Sequence, residues 1–112
     1  MKEKTLREYG GELIASERFG SLAVREHGRA ALERWGCDAD SLSALGSLFL
    51  DLAERACNRK EPELTAAWLY LVDMAWDAAR SNLSAEDYHR FCTLQSERES
   101  RCWWMMFGGF DE

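Results

Sequence analysis

The sequence predicts an all-α protein, a single compact bundle of about five helices over residues 1–112. Three observations carry that expectation. Apolar residues recur at spacings of three and four rather than two, the chain holds a single proline, and capping and turn signals divide it into segments of helical length. The first helix is expected to start at Thr5. Thr5-Leu6-Arg7-Glu8 fits a capping box, in which the Thr hydroxyl accepts from the third helical N–H and Glu8 bonds back to the cap. Leu6, Tyr9, Leu13 and Ile14 then share one face. Gly10 and Gly11 each cost about 1 kcal/mol relative to Ala inside a helix, so they mark a close packing contact or a kink.

Phe19-Gly20-Ser21 reads as a break, with Gly20 as the stop and Ser21 as the next N-cap. The second helix follows over about Leu22–Trp35. Its apolar face is thin, consisting of Val24, Ala31 and Trp35 with Ala30 and Leu32 beside them. Gly36 ends it. The polar stretch Cys37–Ser41 offers several N-caps for a third helix, in which Leu42, Leu45, Phe49, Leu52 and Ala56 step by three and four. This is the clearest amphipathic pattern in the chain.

Asn58-Arg59-Lys60-Glu61 forms a loop, and Pro62 suits the first position of a helix because its missing N–H would be unpaired there anyway. The fourth helix, over about residues 62–81, is predicted to be central. Its apolar residues, from Leu64 to Ala79, cover nearly the whole circumference. Ser84 then caps a fifth helix, with Leu83 and Tyr88 at the positions of a hydrophobic staple. Tyr88, Phe91, Cys92 and Leu94 are expected to face the core. The seven polar residues Gln95–Arg101 that follow allow a continuous helix that crosses solvent before its end docks elsewhere, or a helix that stops near Ser96 with a separate terminal segment. The continuous helix is expected, because Glu, Arg and Gln are good helix formers and Gly108-Gly109 supply a stop.

Composition narrows the function classes. Hydrophobic residues at 46% and charged residues at 30% fit a folded globular domain, and a net charge of −6 disfavours phosphate-backbone binding and favours basic partners. The four cysteines, Cys37, Cys57, Cys92 and Cys102, are widely spaced. Residues 1–15 carry no continuous apolar stretch of the signal-peptide kind. Free thiols in a reducing cytoplasm are the expectation. The greasiest stretch, residues 66–79, is broken by Asp73 and Asp77, so no membrane-spanning helix is expected.

No catalytic or metal-binding signature is present, and neither a cofactor nor an enzymatic activity is expected. A structural zinc site shows ligand pairs two to four residues apart, whereas the nearest two cysteines here are ten apart. His89 and Cys92 do lie three apart on one helix face. Asp73 and Asp77 lie four apart beside Trp76, where an aromatic wall can raise a carboxyl pKa. A small helical metal protein or enzyme would use those four residues. A nucleic-acid-binding regulator would instead use Arg18, Arg25, Arg29 and Arg34, although Glu17, Glu26 and Glu33 interleave with them and cancel much of their field.

The remaining feature is the aromatic C-terminal segment 102–112, Cys-Trp-Trp-Met-Met-Phe-Gly-Gly-Phe-Asp-Glu. Trp103, Trp104, Met105, Met106 and Phe107 would point around most of a helix, so one core face cannot take them all. Two readings are open: these residues close the bundle as its last core layer, or they bind a partner or a second copy as a homodimer. Trp, Met and Phe are enriched at protein interfaces. The expected function is therefore that of a small acidic, non-enzymatic protein that binds and inhibits or modulates a larger protein. Trp103–Phe107, Phe110, Asp73 and Asp77 would be its contact residues. Small, acidic, motif-free helical proteins are common among accessory factors of phages and mobile elements, including anti-CRISPR inhibitors and toxin-immunity proteins, and that class is the one expected.

Overall fold

Caps and turn residues set the order of elements in the computed structural model, which describes residues 5–107, with Leu6 and residues 101–107 described in backbone only. Five α-helices are formed among these residues: α1 Leu6–Ser16, α2 Ser21–Trp35, α3 Ala39–Asn58, α4 Pro62–Asn82 and α5 Ala85–Phe107, with a short 3-10 turn over Glu17–Phe19. Thr5 caps α1 by accepting from the Glu8 N–H at 3.2 Å. Asp38 caps α3, accepting from the Ser41 N–H at 2.9 Å, and hydrogen bonding from Ser41 holds its carboxyl below the usual range. Ser84 caps α5 by accepting from the Asp87 N–H. Ser21 is not a cap. Gly20, at φ 97°, takes the cap position in a backbone region that suits glycine, and Ser21 is already the first helical residue.

The core lies where α3 and α4 meet. Leu42, Leu45, Phe49, Leu52 and Ala56, the predicted stripe of α3, are all buried, and Phe49 stacks on Trp68 of α4 with ring centroids 6.1 Å apart. Trp68 is fully buried because its indole N–H has a partner, the Glu17 carboxylate at 2.8 Å. Arg59 reaches the same carboxylate at 3.1 Å and Glu61 at 2.7 Å, tying the turn after α1 to the α3–α4 loop. As predicted, α4 is apolar on several sides, and it packs against α2, α3 and α5. It shares the centre with α3, which packs against α1, α2, α4 and α5.

Glycines set two of the close approaches. A Cβ on Gly28 would fall 2.2 Å from Leu71 Cδ1, so α2 can approach α4 this closely only without a side chain there. Gly46 does the same for α5, where a Cβ would meet Gln95 Oε1 at 2.6 Å. Some expected core positions are not in the core. Ile14 and Leu94 are 42% and 49% exposed, and Ala30 is exposed, because each lies off the line its helix turns toward its neighbours. No helix among the described residues is long and apolar enough to cross a membrane.

Candidate protein-binding surface

The fifth helix is seated by part of the apolar stripe expected of it, with Phe91 buried and Tyr88 packed against the core, and by polar contacts. Phe91 is its one fully buried large apolar residue among those described, set edge to face against Trp76 of α4 at 5.1 Å. Beyond it the polar run does not cross solvent, as expected from sequence, but lies against α3 and α4. Gln95 is 1% exposed and fills the space over Gly46. Arg98 pairs with Asp51 of α3 at 2.6 Å, and further back Arg90 pairs with Asp40 at 3.0 Å. The Glu99 carboxylate accepts from the Trp76 indole N–H at 3.0 Å. The expectation failed because periodicity scores only apolar residues, whereas a long polar side chain can bury its stem and pair its head.

These contacts give α5 a polar seam with incomplete satisfaction. Gln95 Nε2, Ser43 Oγ and Arg98 Nε are buried without hydrogen-bond partners among the described residues. Burial raises the Glu99 pKa, the Trp76 hydrogen bond opposes that rise, and the nearby Asp73 charge adds to it. The carboxylate set against the tryptophan is therefore Glu99, contributed from α5, and neither Asp73 nor Asp77.

The sequence-predicted site residues are dispersed. Asp73 and Asp77 are exposed on α4, and Asp77 is engaged by Arg80 one turn on. His89 is exposed and Cys92 half-buried on α5, and Cys37, Cys57 and Cys92 are free thiols. No three His, Cys, Asp or Glu side chains converge on a metal-sized space among the described residues. Two of the α2 arginines rest on aromatic rings. Arg25 lies over the Tyr70 ring and Arg34 over the Trp35 ring, each with its guanidinium carbon 5.0 Å from the centroid.

Trp103, Trp104, Met105, Met106 and Phe107 fall on the last turns of α5, whose backbone is helical through Phe107; their side chains, and Phe110 altogether, lie outside the described residues. The helix was expected to continue through the polar run, and it does. Two exposed apolar residues were missed by sequence reading: Phe19, 79% exposed in the turn after α1, and Leu22, 69% exposed in the first turn of α2. Their flanking glycine marked a turn and so concealed a surface pair. Comparison of this chain with family models, curated proteins and solved structures finds no match.

Proposed function

We propose that this protein acts by binding: it engages a larger protein, or a second copy of itself, through the end of α5, and inhibits or modulates the partner it holds. One observation carries the reading. The α5 backbone is helical through Phe107, so positions 103–107, each occupied by a large apolar residue, are spread around the full circumference of a helix that lies on the bundle along one side. Apolar area of that size seldom stays in contact with water, and Trp, Met and Phe are the residue types that anchor interfaces. The exposed Asp73 and Asp77, with a net charge of −6, favour a basic partner surface and would speed its approach. Inhibitors of the anti-CRISPR and toxin-immunity type work by such surface complementarity, and we place the protein's role in that class.

The test compares the intact protein with Trp103→Ala/Trp104→Ala, using capture of partners from the native host's lysate and sedimentation of the purified protein. The expected result is loss of capture or of dimer, with the helical circular-dichroism signal unchanged. A variant that unfolds would place both tryptophans in the core and remove the main support for the interface. Unchanged association would contradict the reading outright.

A further inference from the structure

The groove that seats α5 continues past the last contact described for it. Ahead lies a shallow apolar hollow of about 430 Å³ between the end of α3 and the start of α4, lined by Cys57, Pro62, Thr65, Ala66 and Leu69, with Lys60 and Glu61 beside it. Helical geometry puts this hollow on the side that faces α5. Cys57 comes eleven residues after Gly46, about three turns, and so shares the line on which α3 meets Gln95. Leu69 and Thr65 precede Trp76 by seven and eleven residues, about two and three turns, and share the line on which α4 meets Phe91 and Glu99.

The register of α5 brings its terminal turns to the same place. The pairs Arg90–Asp40 and Arg98–Asp51 show α5 running parallel to α3. At 1.5 Å per residue, Cys57 lies about 9 Å beyond Asp51, and positions 102 and 106 lie about 6 and 12 Å beyond Arg98. Around the helix, positions 102 and 106 follow Gln95 by about two and three turns and so fall on its groove-facing line. Position 104, two and a half turns after Gln95, is on the opposite line, and 103 and 105 flank to either side.

We propose that the hollow is the seat of the chain's own C-terminal segment, with helix positions 102 and 106 on the line that runs toward Cys57 and Leu69, and with position 104 on the outward line available to a partner. The occupant is this segment, not another chain, because α5 is already bound along the same groove at Gly46 and Asp51 and stays helical to Phe107, so the segment reaches the hollow with no further loop to close. The role given to position 104 rests on the binding role proposed above. The seating of the segment does not.

The two parts are separated by thiol labelling of the intact chain with iodoacetamide, read site by site by peptide mass spectrometry. Cys92, half-buried earlier on α5, reports on general opening of the bundle. Met106→Asp should raise the Cys57 rate relative to Cys92 by roughly tenfold, as local opening of one segment does, while Trp104→Asp leaves the ratio unchanged. A Cys57 ratio indifferent to Met106→Asp, or raised equally by Trp104→Asp, overturns the proposed seat. Should Met106→Asp speed both thiols together, Met106→Ala decides by the same ratio: a selective rise at Cys57 supports the seat, and no selective rise overturns it. Protection of Cys57 that falls on dilution would make the occupant a second copy and also overturn it. Loss of partner capture in Trp104→Asp is read separately. If capture survives while Met106→Asp exposes Cys57, the binding role fails and the seat stands.

Discussion

The seam between α3 and α4 and the seam between α3 and α5 are built from opposite materials. The first is apolar and closed: Phe49 stacks on Trp68, with Leu45, Leu52, Leu71 and Val72 buried in the same cluster. The second is held by Gln95 over Gly46 and the ion pairs Arg98–Asp51 and Arg90–Asp40, and α5 is tied to α4 beside it by a carboxylate on an indole. Bulk burial contributes stability without direction, whereas polar pairs contribute little net stability but fix register. The bundle's strength therefore resides in α3 and α4. The fifth helix is placed accurately and held more weakly.

The largest effect expected from breaking this contrast is at Trp68. Trp68→Ala removes the centre of the strong seam and should cost about 3–5 kcal/mol, read as a fall in the urea unfolding midpoint. Next is Gly46→Val, which sets a side chain against the buried Gln95 and should cost about 1–3 kcal/mol. Its loss should appear first in Cys92 labelling on α5, ahead of the global transition. Gln95→Met sharpens the contrast from the other side. It removes a buried Nε2 without a partner among the described residues while keeping the side chain's length, and should raise stability by about 1 kcal/mol; a loss of similar size would mean that the amide contributes net stability to the seam.

The smallest effect concerns pH. Folding raises the Glu99 pKa, so the native state binds more protons than the unfolded chain between the ordinary carboxylate value and the raised one. Stability from this group is complete below the unfolded value and is lost as pH rises through the folded one. Glu99→Gln, whose amide oxygen can still accept from Trp76, should therefore be more stable than the native chain at neutral pH. The difference should disappear as pH falls through the ordinary carboxylate range. Urea midpoints measured across that range check it.

Much of the fold was legible in the sequence because its strong seam is written in the residues that periodicity detects. Leu42, Leu45, Phe49, Leu52 and Ala56 announced α3, Pro62 marked the first turn of α4, and Thr5 and Ser84 marked two caps where the structure has them. The weak seam was not legible for the same physical reason. Gln95, Arg98 and Glu99 look like surface residues until their partners, Gly46, Asp51 and Trp76, are known, and those partners lie on other helices. Nor could Gly28 or Gly46 be recognised as contact points, since a glycine carries no side chain to enter a pattern. The end of α5 was legible as a problem, five large apolar residues in a row, but the line of the groove toward Cys57 came only from the packing.

The central contrast is tested most directly by hydrogen exchange on the native protein. If α5 is registered by polar pairs on a bundle whose strength lies elsewhere, amides of residues 89–100 should exchange together through an opening of lower free energy than that of residues 66–79 in α4. A single shared opening free energy for both helices would contradict the account.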